Sequence, residues 1–493
     1  MKKDHPHPVP IVVPKGKGQH KFSLDEKALR KILLQDHVRD RNLVVVSIAG
    51  AFRKGKSFLL GFFLRYMNYF KQTGGRDSNS SWLGDENTPL KGFSWRGGSK
   101  RDTTGILMWS EVFCVTLPTG EEVAVIFLDT QGTFDSKSTL QECVTVFALS
   151  TMLSSIQIYN LSKNIQEDDL QNLQFFAEYG RLASESSGNT PFQKLQFIVR
   201  DWDWAYEKNY GPEGGTMLLE EKLMTPEGQD YDKIRLRTHI KSCFTDIHCF
   251  LLPDPGPKVR TCVKFDGKLP DIHYEFKSCL EQLVPLLLSP ENLIQKEIGG
   301  QKITAENFLS YFKCYMDMFN SNVLPEPKSI FDATVEVNNL TAVAASEKTY
   351  QDSMKAYCET KHLNNDQFEQ AHQISSKKAF EKFDKTPKMG GVESSVKYRI
   401  NLQEKIDSEY NAWKLRNESK KSKIGAIIFK TAGTVTGGIA GAATGARIGS
   451  TIGVVFDGPV GIIIGGAVGA VVGGVAVCLI NGAKTAWDKW KTH

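Results

Sequence analysis

No apolar run opens this sequence. Its first residues, MKKDHPHPVPIVVPKGKG, carry prolines and charges where a secretory signal needs an unbroken hydrophobic stretch, so the bulk of the chain is expected in the cytosol. Paired metal-ligand spacing is also missing. The nine cysteines are scattered and odd in number, which argues against a disulfide framework or a zinc site and for reduced thiols. A strong charge of either sign is absent: 61 basic against 56 acidic residues leave a formal charge of +5, which gives no case for a nucleic-acid partner. What is present is size and apolar content. The 493 residues, 41% of them hydrophobic, have room for two or three domains with buried cores.

The pattern changes in kind along the chain. Residues 1–21, rich in Pro, Lys and His, read as a flexible leader, and SLDEKALRKILLQDHV follows as an amphipathic helix with Ser23 as N-cap and Glu26 completing a capping box. An α/β domain is expected over 22–319: NLVVVSIAG is a β-branched apolar run leading through a glycine loop into an apolar helix. Further buried-strand runs stand in EVAVIFLDTQG, SSIQIYNL, KLQFIVRDW and IHCFLLPDPG. A proline-bearing break, NSNVLPEPKS, marks a linker or hinge at 320–329. Beyond it strand signals stop, and apolar residues recur at helical spacing. Leu340, Val343, Tyr350, Met354 and Tyr357 form one stripe, Phe368, Ala371, Ile374, Phe380 and Phe383 a second, and Val396, Ile400, Ile406, Tyr410 and Trp413 a third. These predict a three-helix bundle over 330–418.

Residues 419–480 differ again. After the basic cluster SKKSK, glycines fall nearly four apart from Gly425 to Gly453 and again from Gly461 to Gly473, which lines one helical face with hydrogen atoms and allows close helix packing in a membrane. Val460 to Ile480 carries no charge, and as a helix it spans about 32 Å, enough for a hydrocarbon core. Lys430 and Arg447 interrupt the first half. With basic residues on both flanks, a glycine-zipper membrane hairpin with both ends cytosolic is expected, followed by a short interfacial tail at 481–493 bearing Trp487 and Trp490.

The chemistry is concentrated in GAFRKGKS, Gly50 to Ser57, which satisfies G-x-x-x-x-G-K-[ST] between a predicted strand and helix. Backbone N–H groups around Gly55 cradle phosphates, Lys56 neutralises the β and γ groups, and Ser57 ligates magnesium. Asp129 ends a predicted strand three residues before Gly132, the arrangement that gives a water-mediated metal contact and an N–H for the γ-phosphate. The polar stretch RGGSKRDTTGI offers Thr103 or Thr104 to close on magnesium, and Thr104 is the residue assigned to metal and catalysis. Asn-Lys-x-Asp, a usual guanine reader, is absent from the whole chain. KLQFIV ends instead in Arg200-Asp201: an aspartate there accepts from both N1–H and the exocyclic amine of guanine, and the arginine stem can stack on the base, which favours GTP over ATP. A water-orienting glutamine after Gly132 is missing, Thr133 standing in its place. Arg53 is then the available cation for the γ-phosphate, an arginine finger supplied in cis or else a solvated charge. The expected nucleotide set is Arg53, Lys54, Gly55, Lys56, Ser57, Phe58, Arg200 and Asp201, the catalytic set Arg53, Thr104 and Gly132, and the metal set Ser57, Thr104 and Asp129.

Long strings in the sequence resemble the atlastins, membrane-anchored GTPases of the dynamin superfamily close to the guanylate-binding proteins. They include SIAGAFRKGKSF, GFSWRGGSKRDTTGI, DTQGTFDS, TVFALSTMLSSIQIYNLS, FIVRDW and CFLLPDPG, and the resemblance covers roughly residues 20–418. It implies a mixed, mostly parallel P-loop GTPase sheet flanked by helices, followed by the all-α bundle and a membrane anchor. It implies Mg2+ as cofactor and GTP as substrate, Arg200 and Asp201 at the guanine-reading position, and Arg53 at the catalytic arginine. Nucleotide-dependent homodimers on opposed membranes, with bundles swinging about the linker, would tether and fuse endoplasmic reticulum tubules. The glycine-rich segment departs from the family's hairpin, so a non-fusing, nucleotide-switched membrane scaffold or coat-forming defence GTPase is the alternative expectation.

Overall fold

A computed structural model describes residues 5–15, 21–74, 81–95, 103–132, 140–187, 190–225, 230–320, 325–359 and 362–420. The expected membrane segment and tail beyond residue 420 lie outside the described residues. Among the described residues no helix is long and apolar enough to cross a membrane.

Nine strands form one sheet: β1 (Pro8–Pro14), β2 (Phe22–Leu24), β3 (Asn42–Gly50), β4 (Ile106–Trp109), β5 (Phe113–Thr116), β6 (Glu122–Thr130), β7 (Ile156–Ser162), β8 (Phe192–Arg200) and β9 (Phe244–Leu251), in the order β2-β1-β4-β6-β3-β7-β8-β9, with β5 also on β6. From β6 to β9 neighbours run parallel, whereas β1, β2, β4 and β5 pair antiparallel. β3 and β6 are near-continuous apolar runs because their side chains are buried on both faces, whereas β7 and β8 also bury the polar Gln157, Asn160, Lys194 and Gln196. A two-stranded hairpin, β10 (Glu297–Ile298) with β11 (Gln301–Lys302), stands apart from this sheet.

The helices are α1 (Glu26–Leu33), α2 (Lys56–Thr73), α3 (Leu140–Leu153), α4 (Glu167–Gln171), α5 (Gln174–Ser187), α6 (Pro212–Leu223), α7 (Tyr231–Cys243), α8 (Pro257–Thr261), α9 (Tyr274–Leu288), α10 (Ala305–Phe319), α11 (Pro327–Cys358), α12 (Asn365–Lys385) and α13 (Gly391–Ser419). One face of the sheet buries Val44, Val46, Phe127, Ile158 and Ile198 against Phe62 and Phe63 of α2 and Leu280 and Leu283 of α9.

Two local expectations are corrected. Residues 8–14 are not leader but strand. Ile11 and Val12 are fully buried, and a register shift between Pro10 and Val12 accommodates the prolines that disguise the strand. Helix α1 is capped by Asp25, whose carboxylate accepts from Ala28 N at 2.9 Å, because Ser23 is held in β2 opposite Val13.

The chain divides into two compact units, Met1–Ala345 with Lys382–Asn401, and Ser346–Glu381 with Leu402–His493. Of the expected hinge, residues 321–324 lie outside the described ones, and α11 already begins at Pro327. Within the first unit the start of α11 is tied down by buried asparagines: Asn338 Nδ2 donates to Ile298 O and Asn339 Nδ2 to Met389 O, each at 2.9 Å. In the second unit Tyr350, Met354, Phe368, Ala371, Leu402 and Ile406 are buried, Tyr350 Oη lies 3.0 Å from His372 Nδ1, and Asn417 pairs twice with the backbone of Leu363 at 2.9 Å. Val396 and Ile400, expected in the core, are more than half exposed, and the buried stripe of α13 runs instead through Tyr398, Leu402 and Ile406.

Candidate nucleotide site

The parallel strands deliver their C-terminal ends to one edge of the sheet, where β3 runs through residues 51–55 into α2. Gly50 has φ +141° and Gly55 φ +73°, conformations that favour glycine, and both are also hemmed in. A Cβ on Gly50 would lie 2.0 Å from Asn160 O, and one on Gly55 would lie 1.8 Å from Arg200 Nη1. Lys56 is buried at the first turn of α2, with Nζ donating to Gly50 O at 3.1 Å and Ala51 O at 3.2 Å, so its ammonium is folded back over the loop it serves.

Three oxygen side chains meet beside it. Ser57 Oγ donates to Asp129 Oδ2 at 2.6 Å, Thr103 Oγ1 donates to the same oxygen at 3.1 Å, and the two hydroxyls are 3.4 Å apart. Hydroxyl and carboxylate oxygens are the donors a hard cation such as Mg2+ takes, so the set fits that ion, with water and phosphate oxygens completing the shell. Among the described residues no group of three His, Cys, Asp or Glu exists that would hold a metal alone. Of the two adjacent threonines the geometry gathers Thr103. Thr104, the residue assigned from the sequence, is exposed and stands outside this cluster.

Gly132 is positioned by lack of a side chain: a Cβ there would approach Phe52 Cα to 2.3 Å, so its backbone lies directly against the phosphate loop. One residue earlier, buried Gln131 pairs twice with Gly105, N to O at 2.8 Å and Gly105 N to Oε1 at 2.9 Å. The segment of Thr103 and the segment of Asp129 are thereby joined. Nothing in the sequence marks Gln131, since the position expected to orient water is the one after Gly132.

Arg53 is exposed, has φ +62°, and holds its guanidinium carbon 5.7 Å from the centre of the Phe52 ring. Lys54 is exposed too, and what it contributes inward is its carbonyl, which accepts from Arg200 Nη1 at 2.8 Å and Asn160 Nδ2 at 2.9 Å. Arg200 is buried over the Phe276 ring, 5.4 Å from guanidinium carbon to centroid. Burial pushes its pKa down, opposed by Asp201 and Asp254. In this conformation its guanidinium braces the phosphate loop instead of lying free for a base. Asp201, φ +57°, turns out of β8 and accepts from Ser162 Oγ at 3.3 Å. Phe58 points away from the site into the core, its ring 5.2 Å from Phe62 and 5.1 Å from Trp95 between centroids.

The family model of the guanylate-binding protein N-terminal domain matches residues 19–297. Atlastin-3 of Homo sapiens is 51% identical over 422 residues, 85% of this chain and 77% of the relative. Atlastin of Drosophila melanogaster is 52% identical over 418 residues, 84% of this chain and 76% of its own length. Atlastin-2 of Homo sapiens is 50% identical over 422 residues, 85% and 71% of the respective chains.

Proposed function

The chain belongs to the atlastins and is a GTPase of the dynamin superfamily, and from that premise we propose that it couples GTP hydrolysis to homotypic tethering and fusion of endoplasmic reticulum membranes. The observation that carries the chemical part is the convergence of Ser57, Thr103 and Asp129 on one point beside Lys56. Lys56 leaves the carbonyls of Gly50 and Ala51 for the β- and γ-phosphates. Ser57 and Thr103 would hold Mg2+, with Asp129 contributing through water, and when bound the ion would supply electrostatic stabilisation of the phosphate charge. Gly132 N–H points to the γ-phosphate, and Thr104 flanks the closing loop. Asp201 accepts from the guanine N1–H and amine, and Gly55 with the first turn of α2 presents N–H groups to the phosphates.

Arg53 supplies the counter-charge. It is an exposed cation of the loop, as is Lys54, but its guanidinium rests on the Phe52 ring and is in no ion pair among the described residues, and rotation about its side-chain bonds carries it toward the γ-phosphate side. The loops at this strand edge then meet those of a second copy, and the helical region after residue 320 transmits the change. Residues 419–480 anchor the chain as a membrane hairpin, with the amino-terminal domains and the carboxyl end on the cytosolic side.

Full-length protein placed in two vesicle populations tests this reading. With GTP and Mg2+, lipid mixing should proceed in step with hydrolysis and dimerisation. Robust hydrolysis and dimerisation without mixing at any protein density would overturn fusion and favour the scaffold reading, in which the glycine repeat assembles copies within one membrane.

A further inference from the structure

We propose that Asn160, near the end of β7, is a positioning residue for hydrolysis: together with Arg200 it clamps the Lys54 carbonyl and so fixes the backbone from which Arg53 reaches the γ-phosphate. The inference rests on the reading of Arg53 given above and extends it to a residue that does not face the nucleotide.

Asn160 has no solvent exposure, yet it occupies a central parallel strand whose neighbours in sequence are apolar. Its Nδ2 donates to Lys54 O, while its Oδ1 is buried and meets no donor among the described residues. A buried acceptor left in that state is destabilising, a cost that an apolar residue of similar shape would avoid. Sheet stability therefore does not account for the amide, and its one side-chain bond runs to the phosphate loop. Arg200 repeats the pattern. Its Nη1 shares the same carbonyl at 2.8 Å, while its Nε is buried without a partner among the described residues.

The residue just before that carbonyl is the one whose backbone needs holding. Arg53 at φ +62° is a bulky side chain in a left-handed conformation, which persists only where surrounding structure imposes it. Two donors on Lys54 O impose it from one side. The flanking glycines do so at the ends, since Gly50 lies on the Asn160 backbone and Gly55 on the Arg200 guanidinium so closely that a Cβ would fit at neither. Loosening the clamp lets the Arg53 backbone relax and moves the guanidinium, and a misplacement of about 1 Å can cost on the order of 10²-fold in rate.

Asn160→Leu removes the donor at similar volume, and Asn160→Asp keeps the shape but turns the donor into an acceptor. The measurements are single-turnover GTP hydrolysis, GDP affinity, thermal unfolding, and amide exchange of the Gly50–Ser57 segment in the full chain, each in the native and Arg53→Ala backgrounds. Turnover should fall about 10- to 100-fold, while GDP affinity changes by less than about threefold. Loop amides should exchange faster, and in the Arg53→Ala background the second substitution should cause no further fall, the non-additivity of residues acting as a unit. Equal falls in both backgrounds, or a loss of GDP affinity matching the loss of turnover, would overturn the proposal. If Asn160→Leu does not unfold cooperatively, Asn160→Asp carries the same expectations. Near-normal turnover by Arg53→Ala alone defeats the finger, whereas unchanged loop exchange in Asn160→Leu defeats the clamp, so the two failures read out separately.

Discussion

The two ends of the same parallel strands are built on opposite terms. At their N-terminal ends polar groups satisfy one another. Ser150 and Ser154 donate to Gln157 Oε1 at 2.7 and 3.1 Å, Ser155 Oγ accepts from Val45 N at 3.0 Å, and Asn42, Gln295 and Lys302 all donate to Glu121, whose pKa these bonds hold below the carboxylate range. At their C-terminal ends stand Arg53, Lys163 and Asp201, the non-glycine residues with positive φ among those described, on the loops after β3, β7 and β8. Strained backbone gathers at the C-terminal ends, while the N-terminal ends are largely, though not fully, paired, with Arg41 Nη1, Gln193 Oε1 and Gln295 Oε1 buried without a partner among the described residues. A charged group also stands out at the quiet end. Lys296 is fully buried, its ammonium donates to Ser154 O at 2.9 Å, and burial pushes its pKa down to about 7, with Glu297 opposing.

Substitutions can break this contrast, and the largest effect belongs to the strained end. Arg53→Ala should lower GTP turnover by about 10³, with nucleotide affinity and thermal unfolding little changed. Near-normal turnover would make Arg53 a surface charge and the strain there purposeless. At the other end Lys296→Met should act on stability alone. The folded pKa, about 7, lies below the ordinary 10.5, so the unfolded chain binds more protons between those values and stability climbs as pH rises through that window. Removing the amine should flatten the climb by an amount on the order of 2 kcal/mol in urea titrations at pH 7 and pH 10, with turnover retained. Parallel slopes for the two proteins would mean that Lys296 stays charged. The smallest effect is at Ser162: losing its hydroxyl frees the Asp201 carboxylate, and Ser162→Ala should erode the preference for GTP over ATP by about 3- to 10-fold in equilibrium binding. An unchanged preference would show that the left-handed backbone alone aims Asp201.

The same contrast explains what could be read from the chain. Buried parallel strands are legible because they are largely apolar, so β3 and β6 stand out as near-unbroken runs and β7 and β8 as apolar runs with a few polar residues, and the loop joining β3 to α2 announces itself by its glycines. Residues whose meaning comes from a neighbouring strand are not legible. Asn160 and Arg200 meet over Lys54 O across more than a hundred residues of chain, and no local pattern marks either for that task. The Arg200-Asp201 dipeptide fixed a location but not a rotamer, so the arginine expected on a base is found under the loop. Thr103 and Thr104 are indistinguishable as a pair of letters, and only the turn of the backbone into β4 selects which one meets Asp129. Prolines hid β1, since the sign that usually ends a strand here coincides with a bulge inside one. Helical spacing put Val396 and Ile400 in a core, but the covered face passes through Tyr398, Leu402 and Ile406, two positions out of phase with them.

The two hydrogen bonds between Gln131 and Gly105 tie two loop segments into one unit. Thr103 reaches the Asp129 carboxylate and Gly132 lies against the phosphate loop, yet each sits within two residues of the same paired backbone. Departure of the phosphate cannot be registered by one segment and ignored by the other, because withdrawing either drags its partner's anchor. In the language of signalling the site behaves as an AND gate with a single output wire. Under the proposed function, two membranes would then be committed to one irreversible event with no half-informed state from which to start.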